Sequence, residues 1–352
     1  MKKVLLVTNP HCGGAERMTV LFGKILYKKG YDIEILISRL SDNECCDILS
    51  FVPDYFKVSY TTGRYRTLFF RLFSFLKNSP AEYVFSAMPL INHLLIPLIK
   101  VFYRRKKIIV RECNTPSRQP LRVQRLNRIL LSHADGIISQ TEDMAREMAS
   151  LYGLHPDSIT TIINPVDEEL INERIKARYD FPSGHTIYVA VGRVQPQKDY
   201  ETLIRAFAKV LTSKPLSLLY IVGKDDGEYA LEQKRLVNEL GLQSKVVFTG
   251  FQDNPYKYMS GADCYVLSSE YEGLPNTLLE AMYLKLPVVA TESIPFIPEL
   301  IAGYPDGRCV PVKDIEKFAQ SMLEVIDLDV PHEEMSANLQ QMNLEPLFKL
   351  FR

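Results

Sequence analysis

The chain has 352 residues, 46% of them hydrophobic and 24% charged, and its 42 basic and 42 acidic side chains cancel. That length exceeds one ordinary core and predicts two domains of roughly 160 to 190 residues. Six cysteines with no C-x-x-C pair or metal-ligand spacing read as a reduced cytoplasmic chain, and the absence of tryptophan speaks against a glycosidase cleft or carbohydrate module built on indole stacking.

Short apolar runs alternate with helical patterns along the whole chain, which signals parallel sheets with crossover helices. Met1-Lys2-Lys3 runs straight into the first expected strand, Lys3–Thr8, with too few apolar residues for a signal peptide. A helix is expected over Glu16–Lys29, then strands at Asp32–Ile37 and Tyr83–Ser86. The stretch from Tyr83 to Tyr103 has membrane length but carries Pro89, Asn92, His93, Pro97 and Lys100, so a strand leading into a buried or surface-dipping helix is the better reading. Strands are next expected at Lys107–Arg111, Gly136–Ser139 and Ile159–Ile163, with a helix at Gln124–Ser132. Asn164-Pro165-Val166-Asp167 is a turn-rich break that divides domains 1–165 and 166–352. Beyond it a charged helix, Glu168–Tyr179, precedes strands at Thr186–Val191, Ser217–Val222, Val246–Thr249, Cys264–Leu267, Pro287–Ala290 and Arg308–Pro311. Charge divides at the same place: residues 1–165 carry 23 Lys/Arg against 14 Asp/Glu, a net of +9, and the remainder 19 against 28, a net of −9. Within 60–130 there are 14 basic residues and two acidic ones, Glu82 and Glu112, which suggests an anionic partner, either phosphate groups or a membrane surface.

The segment from Tyr271 to Ala281 is the most informative. Glu272 and Glu280 stand eight positions apart with Gly273-Leu274-Pro275 between them. Pro275 suits the first position of a helix, which puts Glu272 in the approach loop and Glu280 in the second turn. Eight helical steps span roughly 12 Å, whereas glycosidase carboxylates flank one bond at ~5 to 9.5 Å. The pair is better suited to hold separate parts of one extended ligand, with anion-binding N–H groups of the helix start between them. A nucleotide-sugar has hydroxyls at both ends and phosphate in the middle. Upstream, Arg193 and Lys198 in Gly192-Arg193-Val194-Gln195-Pro196-Gln197-Lys198-Asp199 follow a strand, where two cations can neutralise a diphosphate leaving group. Gly13-Gly14 joins the first strand to the first helix and admits close phosphate approach, though a plain turn explains it equally well, and it is not G-x-G-x-x-G. Val222 to Gly227 reads as a structural turn, Asp327-Leu328-Asp329 as a solvated helix end, and His93, His133 and His155 as isolated histidines.

In this order, Gly-Gly-Ala-Glu, Asn-Pro-Val-Asp, Gly-Arg-Val-x-x-x-Lys-Asp, Phe248-Thr249-Gly250, Glu272-Gly273-Leu274-Pro275-Asn276 with Glu280-Ala281-Met282, and Pro287 to Thr291, the chain resembles the retaining family-4 glycosyltransferases, group 1, of the GT-B fold. The resemblance runs from about residue 4 to 320 and is more specific in the second half. It implies an α/β architecture of two doubly wound Rossmann-like domains facing across a cleft, acceptor-binding first and nucleotide-sugar-binding second. Arg193 and Lys198 would hold the donor diphosphate, Glu280 the ribose hydroxyls, and Glu272 the transferring sugar. Gly273, Leu274, Asn276 and Thr277 would touch phosphate or sugar, and Gly13 and Gly14 would approach the diphosphate. No metal and no cofactor are implied. Three departures stand out: Lys285 where many relatives have glycine, Ser293-Ile294-Pro295 in place of a glycine-containing loop, and Arg111 to Pro116 without the histidine some relatives carry. The short polar tail after Asp327 suggests that the helix often returning to the first domain is curtailed.

The function expected is transfer of a hexose or N-acetylhexosamine from a UDP-sugar, with retention, to a growing glycan or polyprenyl-diphosphate-linked saccharide in surface polysaccharide assembly, such as lipopolysaccharide or capsule. The alternatives are a GDP-mannose-dependent mannosyltransferase, a nucleotide-sugar epimerase on the same scaffold, and a non-catalytic subunit. The basic, aromatic segments 64–71 and 102–107 are expected to lie on anionic headgroups at the inner face of a membrane. No nucleic-acid partner is expected.

Overall fold

The computed structural model describes residues 1–11, 13–41, 44, 46–327 and 343–352. These form two compact units that divide between Pro165 and Val166.

The first unit runs β1 (Lys3–Thr8), α1 (Gly14–Lys28), β2 (Asp32–Arg39), β3 (Lys57–Thr62), α2 (Tyr65–Asn78), β4 (Tyr83–Ser86), α3 (Pro89–Phe102), β5 (Lys107–Arg111), α4 (Leu121–Leu130), β6 (Gly136–Ser139), α5 (Glu142–Tyr152) and β7 (Ile159–Thr161). Its seven strands are parallel, in the order β3-β2-β1-β4-β5-β6-β7. The inner strands are buried on both faces, so they read as apolar runs. β3 escapes the pattern because it is an edge strand of alternating polar residues, half exposed. The membrane-length stretch becomes β4 and the largely buried α3, with Pro97 inside the helix. No helix among the described residues is long and apolar enough to cross a membrane.

The second unit runs α6 (Glu168–Arg174), β8 (Thr186–Val191), α7 (Tyr200–Ser213), β9 (Ser217–Val222), α8 (Glu228–Glu239), β10 (Val246–Phe248), α9 (Tyr256–Met259), β11 (Cys264–Leu267), α10 (Asn276–Tyr283), β12 (Val288–Thr291), α11 (Phe296–Ala302), β13 (Gly307–Val310) and α12 (Ile315–Ile326). Six parallel strands lie in the order β10-β9-β8-β11-β12-β13. One apolar cluster packs α7, α8 and α12 on the sheet, and a second packs α9, α10 and α11.

The last helix, α13 (Glu345–Leu350), belongs with the first unit, not the second. Leu347 and Phe351 are fully buried, and the Phe351 ring lies 5.3 Å from that of Tyr83 and 6.0 Å from that of Tyr31. Tyr31 Oη donates to Phe351 O at 2.9 Å, and Lys2 Nζ donates to Arg352 O at 2.8 Å. The boundary 166–352 is therefore corrected: residues 343–352 complete the first unit, and the returning helix is present. The apolar residues of the helix and its cap, Leu347, Phe348, Leu350 and Phe351, are too few for a periodic signal but suffice to anchor one short helix. Phe351→Ala is expected to lower the stability of the first unit by about 3 to 5 kcal/mol, measured by denaturant unfolding with a probe in that unit.

Lys285 ends α10 in a left-handed conformation, φ 61°. Its N–H donates to Met282 O at 2.9 Å, and Leu286 N–H donates to Ala281 O at 3.1 Å, so the helix closes in a Schellman motif with lysine where glycine is usual. A side chain there costs about 1 kcal/mol. Lys285→Gly is expected to raise the melting temperature by a few degrees; an unchanged or lower value would contradict the strain.

Candidate active site

β8 and β11 run side by side, yet the chain leaves β8 toward β9 on one side and β11 toward β12 on the other. Such a reversal opens a crevice at the strand ends, where doubly wound sheets bind ligands. The loops that follow, 192–199 and 268–275, carry the residues singled out above.

The two loops are joined. Glu270 N–H donates to Gln197 O at 2.9 Å, Ser268 Oγ to Lys198 O at 2.7 Å, and Gln197 Nε2 to Tyr271 O at 2.9 Å. Lys198 Nζ lies 2.5 Å from Glu272 Oε1. Ser269 Oγ donates to the same oxygen at 2.6 Å, and Gln197 Nε2 donates to Oε2 at 3.3 Å. The Lys198 side chain is 19% exposed and that of Glu272 9%, so the pair is largely withdrawn from water with an open side left. Arg193, on the first loop, is exposed and has no hydrogen-bond or ion-pair partner among the described residues.

Small residues make room for this arrangement. A Cβ on Gly192 would come 3.1 Å from Lys198 Cε, so the lysine stem crosses bare backbone. Gly223 has φ 159°, and a Cβ there would sit 2.0 Å from Gly192 O, so only glycine lets the turn after β9 approach the loop after β8. That turn is structural. Tyr200 Oη donates to Gly192 O at 3.0 Å; burial, then the nearby Glu272 charge, pushes its phenol well above the usual tyrosine range. Asp199, left-handed at φ 44°, caps α7 by accepting from Thr202 N–H at 3.3 Å and Thr202 Oγ1 at 2.6 Å.

Pro275 precedes α10 as its cap residue, one place earlier than expected, and the helix opens at Asn276. The N–H groups of Asn276 and Thr277 therefore stand in the first turn, where no carbonyl of the same helix reaches them. Thr277 Oγ1 is 2.7 Å from Tyr265 Oη. Glu280 falls in the second turn, buried, and accepts from Tyr256 Oη at 3.1 Å. Leu274 is buried and Gly273 half-buried on the loop between. Arg193, Lys198, Glu272, Gly273, Leu274, Asn276, Thr277 and Glu280 thus share the two joined loops and the helix after them.

Gly13 and Gly14 belong to the first unit, where Gly13 caps α1 and Gly14 opens it. β1 and β4 form that sheet's own reversal. A Cβ on Gly13 would meet Glu16 Oε2 at 2.5 Å, so the Glu16 carboxylate folds back across the start of α1. At the end of β5, Arg111 and Glu112 are both buried. Arg111 donates to Asn164 Oδ1 and, at 2.9 Å, to Cys113 Sγ. Glu112 Oε1 accepts from Cys113 N–H at 3.0 Å and Asn114 N–H at 3.2 Å, and burial pushes its carboxyl above the usual range.

None of the three histidines joins the second-unit site. His93 is buried with Nε2 2.7 Å from Asn127 Oδ1, while His133 and His155 are exposed. Among the described residues no group of three or more His, Cys, Asp or Glu could hold a metal ion. Asp327 pairs with Lys214 at 2.8 Å at the end of α12; Leu328 and Asp329 lie outside the described residues. Gln197, Ser268 and Ser269 were not singled out by sequence. Gln197 sits inside the Arg193–Lys198 motif, but only the pairing of β8 with β11 reveals what it touches.

Two family models match in tandem: Glycosyltransferase Family 4 over residues 12–170 and Glycosyl transferases group 1 over residues 171–342. An uncharacterized glycosyltransferase of Methanocaldococcus jannaschii, MJ1059, is 34% identical over 165 residues, 46% of this chain and 40% of that protein. The N-acetylgalactosamine-N,N'-diacetylbacillosaminyl-diphospho-undecaprenol 4-alpha-N-acetylgalactosaminyltransferase of Campylobacter jejuni is 27% identical over 255 residues, 70% of this chain and 67% of that protein. The chain thus spans 40% and 67% of the length of these two curated relatives. In three dimensions it matches Anabaena HepE, solved in complex with UDP-glucose, with a TM-score of 0.79 at 16% identity over 100% of this chain and 98% of the other, a likeness of fold. The chain belongs to the family-4 glycosyltransferases, the glycosyl transferases group 1, of the GT-B fold.

Proposed function

We propose that the protein transfers a hexose or N-acetylhexosamine from a nucleotide-sugar to a growing glycan or lipid-linked saccharide, with retention at the anomeric carbon and without a metal. The observation that carries this reading is the joined pair of loops: Lys198 on Glu272, with Arg193 on the same loop as Lys198 and unpartnered among the described residues, at the reversal of the second sheet. The activity named for the Campylobacter jejuni relative, on a diphospho-undecaprenol acceptor, and the UDP-glucose held by HepE support a lipid-linked acceptor and a uridine carrier.

In the proposed chemistry the bond from the anomeric carbon to the diphosphate oxygen breaks, and its electron pair leaves with the diphosphate. Arg193, Lys198 and the first-turn N–H groups of α10 steady that charge. The acceptor oxygen bonds to the same face of the sugar, and its proton passes to the departing diphosphate. Glu272 faces the positive charge that develops on the sugar, and Glu280 holds the ribose hydroxyls.

A thermal-shift panel of nucleoside diphosphates and nucleotide-sugars tests the donor, since a ligand at 100 times its Kd stabilises the folded state by about 2.7 kcal/mol. Lys198→Ala and Glu272→Ala are each expected to cut transfer about 100-fold or more with the far-UV circular dichroism unchanged, in buffer containing a chelator. Unaltered transfer by both variants would falsify the site assignment. Epimer formed from the donor alone, without acceptor, would favour the epimerase.

We also propose that the first unit docks on an anionic membrane at the inner face. Arg64, Arg66, Arg71, Arg104 and Arg105 are exposed, as are Phe70 and Phe102. α4 adds a third element: Arg122, Arg125 and Arg128 share its surface with Leu121 at 68% exposure and Ile129 at 63%. Liposomes containing anionic lipid are expected to float with the protein, and neutral liposomes to leave it behind. No lipid-dependent flotation would retire the docking proposal.

A further inference from the structure

The proposed chemistry asks one ammonium to be in two places. Lys198 Nζ lies 2.5 Å from Glu272 Oε1, and the same nitrogen is needed on the donor diphosphate. We propose that the diphosphate draws Lys198 off Glu272, and that Gln197 and Ser269 are the positioning residues that keep the carboxylate in place for the sugar. This inference rests on the reading that the second-unit site takes a nucleotide-sugar.

Three observations carry it. Glu272 has neutral holders besides the lysine: Ser269 Oγ at 2.6 Å from Oε1 and Gln197 Nε2 at 3.3 Å from Oε2. When the ammonium leaves, these bonds hold the geometry but do not cancel the charge. The carboxylate is then released from the ammonium where the sugar becomes positive. Second, both holders are fixed independently of Lys198 Nζ, Gln197 by the neighbouring loop and Ser269 by the end of β12. Gln197 Nε2 also donates to Tyr271 O at 2.9 Å, Glu270 N–H to Gln197 O at 2.9 Å, and Thr291 Oγ1 to Ser269 O at 2.6 Å. Third, the lysine is suited to swing. Its four-carbon stem passes over Gly192, which has no side chain to obstruct it, and an ammonium is a point charge with no fixed fork to realign. A diphosphate carries more charge than one carboxylate and bonds the ammonium more strongly. Among the described residues Arg193 has no carboxylate to leave, so the two cations differ: Arg193 meets the diphosphate directly, and Lys198 by exchange.

The test is a double-mutant cycle in nucleoside diphosphate binding, measured by calorimetry with whichever of uridine or guanosine diphosphate the wild type binds. Exchange predicts that Glu272→Gln binds the diphosphate about tenfold tighter, a gain of about 1.4 kcal/mol, because Lys198 no longer has a pair to break. In a Lys198→Met background the same substitution is expected to change affinity by less than about threefold, and in an Arg193→Met background the gain persists. An equal gain in all three backgrounds would mean simple charge repulsion and would overturn the exchange. So would no gain, or a loss, with Glu272→Gln alone, since Lys198 would then serve both partners at once. Glu272→Ala runs the same cycle if the glutamine variant does not fold, and the binding stoichiometry reports the folded fraction. Gln197→Ala and Ser269→Ala are expected to lower affinity for the intact nucleotide-sugar toward that of its diphosphate, leaving diphosphate affinity within about twofold. A parallel loss for both ligands would reduce these residues to a structural role and overturn their positioning. A wild type that binds no nucleoside diphosphate or nucleotide-sugar would sink the donor reading itself, a result distinct from all of these.

Discussion

Lys198 and Glu272 are 74 residues apart in the chain and meet because β8 and β11 are neighbours. The first loop has one short 3-10 turn of its own, Pro196–Lys198. The two loops are held to each other through the bonds of Glu270 to Gln197 and Ser268 to Lys198. A partly buried ion pair is weak grounds for stability, because removing two charges from water offsets most of their attraction. Its effect here is to specify geometry. The loops also reach the sheet through Thr291 at the end of β12, so the candidate site is braced by three successive strand ends, not by loop packing alone.

How much could be read beforehand follows from where each signal resides. Strands buried on both faces, such as β1 and β8, are legible as unbroken apolar runs. β3 is not, since an edge strand with half its side chains in water has a loop-like composition. Arg193, Lys198, Glu272 and Glu280 are legible because charged groups at fixed spacing around a helix start already imply a ligand. Gln197 and Ser269 are not, because an amide and a hydroxyl acquire meaning only through what faces them across the sheet. Lys285 lies between the cases: its departure from a frequent glycine is visible in sequence, and its left-handed φ shows what that glycine would relieve.

The first unit distributes its positive charge unevenly between surface and interior. Arg111 is fully buried, its guanidinium 5.4 Å from the centre of the Phe22 ring and bonded to Asn164 at the boundary between the units. Gln140 accepts from Asn164 and donates to Glu112 O, so one polar chain ties the ends of β5 and β6 to the last residues before the second unit. The arginines of α2 and α4 have no such internal neighbours and remain in water.

The return of α13 to the first sheet bears on how the polypeptide matures. Residues 351 and 352, just after it, bond to Lys2, Tyr31 and Tyr83, side chains 269 to 350 positions earlier in the chain. The half that leaves the ribosome first is therefore the half completed last, after some 180 further residues have been added. Until then the apolar seat of Leu347 and Phe351 stays uncovered, and the nascent chain carries an adhesive patch that α13 seals.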